Sequence, residues 1–288
     1  MIERLLICTD LDRTLIPNGP QPESPLAMGY FSALVGRPEV SLAYVSGRHR
    51  SLVEQAMTEY RLPIPDFVIG DVGTTIYRVG LEQLWQHDDA WENEIAADLG
   101  GNSHVALAEL LADVPQLQLQ EVDKQNRCKL SFYVPLQVDV ADISGMIEGR
   151  LKSAGANCRL IWSIDEEAAV GLLDILPQGA SKLHAISALM REYDFDLEHT
   201  VFCGDSGNDI EVLVSRVPSV LVANAMPEVR EQALREAKEA GQAEYLYVAS
   251  GGLMNMNGHY AAGMLEGIAH YHPETLDWMR LPVAKGAL

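Results

Sequence analysis

The sequence predicts an α/β architecture: a doubly wound parallel sheet with a Rossmann-like core and an inserted α+β domain. Three observations predict it. Short apolar runs alternate with helix-period stretches toward both ends of the chain, the βαβ pattern of a parallel sheet. Those runs stop at acids, serines and glycines, where open α/β sheets place their sites. Between them, residues 81–171 break the alternation, with strands and helices in the order of an α+β unit.

Leu5 to Cys8 reads as a strand buried on both faces, and it runs into Thr9-Asp10-Leu11-Asp12-Arg13-Thr14. Pro17 to Pro25, rich in Pro, Gly and Asn, is a loop, and residues 26–36 are expected to be helical. Val40 to Val45 is a second buried strand ending in Ser46-Gly47-Arg48, followed by a helix with Leu52, Val53, Ala56 and Met57 on one face. Asp66 to Gly70 is a third strand, and Gly73 to Tyr77 opens a hairpin-like segment. Inside the insertion, Lys129 to Val134 and Cys158 to Trp162 read as strands. The parallel pattern is expected to resume at Leu172 to Pro177 and continue into a helix running to Met190. Strands follow at Thr200 to Cys203 and Ser219 to Val222, then an exposed helix face over Glu228 to Glu239 and a closing helix at Gly263 to Tyr271. Residues 1–80 and 172–288 are thus assigned to the core and 81–171 to the insertion. Linkers near Tyr77–Leu84 and Ala169–Leu173 would let the insertion close over a substrate and exclude water.

The 288 residues suffice for a substantial core, and the formal charge of −20 argues against nucleic-acid and anionic-membrane partners, both of which need a basic surface. Cys8, Cys128, Cys158 and Cys203 are scattered without metal-ligand spacing, as buried reduced thiols are. Met1-Ile2-Glu3-Arg4 leads straight to the first strand with no signal-peptide pattern, and no apolar run reaches the roughly 18 residues of a membrane span. A cytoplasmic protein is expected.

Strand residues at i and i+2 share a side, so Asp10 and Asp12 should emerge together, about 6.5 Å apart. They repel unless something positive lies between them, and a divalent cation with oxygen ligands would serve. A carboxylate beside a metal can attack phosphorus while a second handles the leaving group's proton. Alternatively the acids merely cap a helix. Downstream, Ser46 and Gly47 offer a hydroxyl and amides for phosphate oxygens, and Lys182 offers a point charge at a helix start. Gly204-Asp205-Ser206-Gly207-Asn208-Asp209 brings further acids and an amide to another strand end. Four such groups, in this order, point to phosphoryl transfer.

These residues resemble the haloacid dehalogenase superfamily of phosphohydrolases. Its four motifs appear as Asp10-Leu11-Asp12-Arg13-Thr14, Val45-Ser46-Gly47-Arg48, Lys182 and Gly204 to Asp209, and the insertion between the second and third matches a type B class-two cap. Val72-Gly73-Thr74, Lys129 to Val134, Leu173 to Ala180, Val222-Ala223-Asn224-Ala225 and His259 to Gly263 further resemble sucrose-phosphate phosphatases, with Arg13, Thr75 and Ser181 as departures. The resemblance implies a sugar phosphatase. Asp10 would be the nucleophile, forming an aspartyl-phosphate, and Asp12 the acid and base. Mg2+ would be held by Asp10, Asp12 through its carbonyl, and Asp205, with Asp209 close behind. Ser46, Gly47 and Lys182 would hold the phosphoryl group, and Ser206 and Asn208 would support the metal loop. Arg48, Asn126, Lys129 and Gln178 are candidate contacts to the sugar. The implied substrate is a phosphorylated sugar, sucrose 6-phosphate first, with mannosylfructose-phosphate and mannosyl- or glucosyl-3-phosphoglycerate as alternatives. The implied partner is a sugar-phosphate synthase. A non-catalytic regulatory partner of a glycosyltransferase is the remaining alternative, and such a module should have lost acids that all stand here.

Overall fold

Leu5–Thr9 (β1) is buried along its whole length, as an unbroken apolar run requires of a central strand. The computed structural model describes residues 4–165 and 168–279, so Met1 to Glu3 lie outside the described residues. β1 pairs in parallel with Val40–Val45 (β2) on one side and with a strand almost two hundred residues later on the other. Beyond β2 come Phe67–Gly70 (β3), Thr75–Val79 (β4) and Trp85–His87 (β5), the last two antiparallel. A second, four-stranded sheet contains Gln118–Leu119 (β6), Leu130–Val134 (β7), Cys158–Asp165 (β8) and Val170–Pro177 (β9), all antiparallel. Thr200–Gly204 (β10), Ser219–Leu221 (β11) and Leu246–Val248 (β12) complete the first sheet, whose order is β12-β11-β10-β1-β2-β3-β4-β5. Strand order reverses between β1 and β10, the topological switch point at which open α/β sheets bind ligands.

Helices cover both faces of the large sheet and, through α4 and α5, back the small one. In order they are Ala27–Val35 (α1), Arg50–Glu59 (α2), Asp89–Ala96 (α3), His104–Leu110 (α4), Val140–Ser153 (α5), Lys182–Glu192 (α6), Ile210–Leu213 (α7), Pro227–Glu239 (α8), Ala261–Tyr271 (α9) and Thr275–Trp278 (α10). Side chains alternate along β1. Leu5 and Ile7 join a core with Phe31 of α1, Val53 of α2 and Leu265 of α9, whereas Leu6 and Cys8 join one with Ile186 of α6 and Val212 of α7. The second core continues into the smaller sheet through Phe132, Leu173 and Ile175, backed by Ile143 and Ile147 of α5. Among the described residues no helix is long and apolar enough to cross a membrane. Cys8, Cys128 and Cys203 are buried and all four cysteines are free.

The expected α/β core with an α+β insertion is what the chain forms, but its crossings lie elsewhere. Leu172 to Pro177 does not resume the parallel sheet: β9 pairs antiparallel with β7 and β8, so the small sheet extends to Pro177 rather than 171. At the other crossing, β5 belongs to the large sheet, so chain after residue 80 still pairs there. The segments expected as linkers, Tyr77–Leu84 and Ala169–Leu173, thus overlap β4 and β9.

Gly267 of α9 lies so near β11 that a Cβ would stand 2.2 Å from a Val220 methyl carbon. A Gly267→Ala variant therefore forces α9 off the sheet. Overpacking of this kind costs about 1–3 kcal/mol, and a lowered urea midpoint with an unchanged m-value is the expected result.

Candidate active site

At the carboxyl end of β1 the chain stays tied to its neighbour, the Asp10 amide donating to the Cys203 carbonyl at 2.9 Å, and then turns at Arg13, whose φ is +59°. The turn is pinned by Asn18, which accepts from the Arg13 amide at 2.8 Å and donates to Asp12 at 2.7 Å. From the far end of the chain, Asn224 donates to the Arg13 carbonyl at 2.6 Å while accepting from the Tyr260 amide at 2.8 Å. The Tyr260 hydroxyl in turn donates to the Gln21 carbonyl at 3.1 Å. Asp10 is thereby buried, while Asp12 reaches toward the open cavity.

The other groups arrive from neighbouring strand ends. Ser46 follows β2, is buried, and its hydroxyl oxygen accepts from the Arg48 amide at 3.2 Å. Lys182 opens α6 behind the Ser181 N-cap, whose oxygen accepts from the His184 amide at 3.2 Å. Its ammonium donates to Asp10 Oδ1 and Asp209 Oδ1, each at 2.7 Å, and to Asn208 Oδ1 at 3.2 Å. After β10, Ser206 and Asp209 form a capping box. Asp209 Oδ2 accepts the amides of Asp205 and Ser206 and the Ser206 hydroxyl at 2.9–3.2 Å. Gly204 is needed for that approach, since a Cβ would stand 2.7 Å from the Asp209 carboxylate.

Asp10, Asp205 and Asp209 are all buried and can each offer an oxygen within 4.8 Å of the others. Burial pushes the Asp10 carboxyl up to about 8, with Asp209 and Asp205 adding to the rise and Lys182 opposing it. Asp205 is pushed up to about 7 by burial and by Asp209, against Arg13 and Lys182. Burial alone would lower the Lys182 ammonium, but Asp10 and Asp209 outweigh it and raise its pKa. Arg13 Nε lies 3.2 Å from Asp205 Oδ2, an ion pair whose N–H is not aligned to donate. Three buried carboxylates thus face one ammonium and one half-exposed guanidinium. A hard divalent cation with oxygen ligands fits this donor set. Asp10 and Asp205 are the freer ligands, because both oxygens of Asp209 are already occupied by Lys182 and the loop amides.

A cavity of about 610 Å³ opens over these groups, lined on the core side by Asp10, Asp12, Ser46, Gly47 and Arg48 and on the small-sheet side by Gln120, Lys124, Lys129, Asp165 and Asp174. Ser206 and Asn208 also reach it. Arg48 grips Asp12 with two hydrogen bonds, at 2.6 and 2.8 Å. Burial raises the Asp12 carboxyl, yet the hydrogen bonds and charge of Arg48, with Asn18 and Lys182, outweigh it and hold the pKa below the usual carboxylate value. Two candidate sugar contacts lie elsewhere. Asn126 spends its amide on the Thr74 hydroxyl and the Cys128 amide, and Gln178 is exposed in the turn before α6, and neither lines the cavity. Gln120, Lys124 and Asp165 belong to no motif, and Asp174, although inside the Leu173 to Ala180 stretch, is not among the candidate site residues of the sequence. Alternation along β9 is a usable signal for Asp174 alone, since Gln120, Lys124 and Asp165 lie outside β7 and β9.

The family model of sucrose-6F-phosphate phosphohydrolases matches residues 3–272. The chain belongs to this family. Its members are sugar phosphatases, phosphoric monoester hydrolases of the haloacid dehalogenase superfamily. The chain is 51% identical over 279 residues to a Nitrosococcus oceani protein described as a HAD-like hydrolase, covering 97% of this chain and 75% of that one. It is 32% identical to sucrose-phosphatase 1 of tobacco, Nicotiana tabacum, over 93% of this chain but only 59% of the plant protein. The Synechocystis sucrose-phosphatase, solved with sucrose and phosphate, superposes with a TM-score of 0.71 at 25% identity, covering 93% of this chain and 98% of that one.

The Arg48–Asp12 pair gives a testable sign. Asp12 is depressed in the folded protein, so the pair's stabilisation is present above its unfolded pKa of about 4 and is lost as pH falls through the lower folded value. An Arg48→Met variant is expected to lose about 0.5 kcal/mol at neutral pH, a figure discounted for solvent screening of this part-exposed pair. Urea titrations of both proteins across the acid range check that the gap closes as Asp12 protonates.

Proposed function

We propose that the protein is a Mg2+-dependent phosphatase that hydrolyses a phosphorylated neutral disaccharide, with sucrose 6-phosphate as the first candidate. The single observation that carries the choice of substrate is the pairing of basic groups around the cavity. Arg48 is matched by Asp12, Arg13 by Asp205, Lys129 by Asp71 and Lys124 by Glu121. A charged leaving group such as a glycerate calls for an unmatched cation, whereas sugar hydroxyls call for the carboxylates of Asp165 and Asp174 and the amide of Gln120. The same pattern weighs against mannosyl- and glucosyl-3-phosphoglycerate. Mannosylfructose-phosphate, also neutral in its sugar part, is the second reading.

In this mechanism an Asp10 oxygen attacks phosphorus, the bond from phosphorus to the sugar oxygen breaks, and Asp12 gives that oxygen its proton. Asp12 then takes a proton from the water that displaces phosphate from Asp10. Arg48 must release one Asp12 oxygen for the first of these transfers. The Ser46 hydroxyl and the Gly47 amide donate to phosphoryl oxygens, and Lys182 neutralises them while holding Asp10 in place. Asp209, Ser206 and Asn208 keep the loop and the lysine in register. Mg2+, held by Asp10, the Asp12 carbonyl and Asp205, would supply charge neutralisation of the transferring phosphoryl group. A synthase that makes the phosphorylated sugar, in the cytoplasm, is the partner this reading implies.

Phosphate release from a panel of sucrose 6-phosphate, mannosylfructose-phosphate and the two phosphoglycerates is the test. The expected outcome is Mg2+-dependent turnover of the neutral disaccharides, falling roughly 10⁴-fold in Asp10→Asn. Preference for a phosphoglycerate would sink the substrate reading, and turnover that survives in Asp10→Asn would sink the mechanism.

A further inference from the structure

Between β3 and β4 the backbone takes three consecutive left-handed residues, Asp71 (φ +51°), Val72 (φ +60°) and Gly73 (φ +95°). For a β-branched valine this is a sparsely populated conformation, one that persists only where the surroundings over-determine it. Here they do. The Asp71 amide donates to the Arg48 carbonyl at 3.0 Å and the Val72 amide to the Ser46 carbonyl at 3.2 Å, so this turn is the back wall of the Ser46–Arg48 turn. Gly73 presses on the start of α6, where a Cβ would stand 2.5 Å from the Ser181 carbonyl and 2.9 Å from the Lys182 amide. One short strained segment thus touches two of the elements that carry candidate phosphate-binding groups.

Its third face meets the small sheet. Asp71 Oδ1 accepts from the Lys129 ammonium at 2.7 Å, with both side chains only 6–7% exposed. Asp71 Oδ2 accepts from the Thr75 hydroxyl at 3.3 Å, and the Thr74 hydroxyl accepts from Asn126 at 2.9 Å. Lys129 also lines the catalytic cavity, on the wall opposite the phosphate groups. A lysine alone has a flexible four-carbon stem and rotatable donors. Locked against a buried carboxylate, it presents its remaining N–H groups in one direction.

We propose that Asp71 is a positioning residue for sugar recognition: it fixes the Lys129 ammonium at the cavity wall and, through its own backbone, holds that wall in register with the Ser46–Arg48 turn. Thr75 assists by fixing the second carboxylate oxygen. This inference rests on the sugar-phosphatase reading above. It adds a residue outside the cavity whose effect depends on how much sugar the substrate carries.

The test compares sucrose 6-phosphate with p-nitrophenyl phosphate, which has the phosphoryl group without the sugar. Asp71→Asn is expected to lower kcat/KM for sucrose 6-phosphate about 30-fold more than for p-nitrophenyl phosphate, mainly through KM. Lys129→Met should give the same selective loss, and the double variant should lose no more than the worse single one, since the two act as a unit. Equal losses on both substrates, or additive losses in the double variant, would overturn the proposal. Should Asp71→Asn not fold, Thr75→Val removes one hydroxyl only. It is expected to give a smaller selective loss of about threefold, and no selective loss there would equally overturn it. Wild-type protein that turns over p-nitrophenyl phosphate but no glycoside phosphate would instead defeat the substrate reading on which the inference rests.

Discussion

The ammonium of Lys182 sits at the meeting point of carboxylates that could not otherwise share a buried space. Asp10 comes from the first strand of the chain, Asp209 from the loop after β10, and the lysine itself from the first turn of α6, yet its hydrogen bonds bring all three within 2.7 Å contacts. Removing one partner of a buried charge pair leaves the others uncompensated. The capping box, the close approach at Gly204 and the parallel pairing of β1 with β10 all serve to hold this arrangement. The remaining excess of negative charge, reflected in the raised carboxyls of Asp10 and Asp205, suits the cluster to a cation.

Much of this was legible before any coordinates. The core strands are short unbroken apolar runs, and the acids, serine and lysine follow them directly, so local pattern alone located β1, β2, β10 and the groups at their ends. Asp10, Asp12, Ser46, Lys182, Asp205 and Asp209 do converge. What failed was anything that depends on which strand pairs with which. Val170–Pro177 is as apolar as a core strand, and a buried run reads the same whichever sheet it joins. Asn126 and Gln178 looked like sugar contacts because amides suit hydroxyls, but the amide of Asn126 is occupied by a hydroxyl and a backbone group, and Gln178 faces solvent. The left-handed turn at Asp71 and Val72 carries no sequence mark, since only the third of its residues is glycine.

The cavity draws its walls from both sheets. The large sheet brings Asp10, Asp12, Ser46 and Arg48 to it, and the small-sheet side brings Gln120, Lys124, Lys129, Asp165 and Asp174. Changes along such a wall are one way in which a single phosphoryl-transfer core can serve different sugars.

The clamp on Arg13 by Asn224, itself held by the Tyr260 amide, bears on how the protein is made. The chain segment that carries Asp10 leaves the ribosome more than two hundred positions before the residues that pin its turn, and one flank of β1 stays open until β10 appears. Until then the nascent chain holds an apolar strand with an unpaired edge, a site for wrong pairing that shielding by a chaperone would protect. A product truncated before β10 carries Asp10 without the strand that flanks it and without the residues that pin its turn.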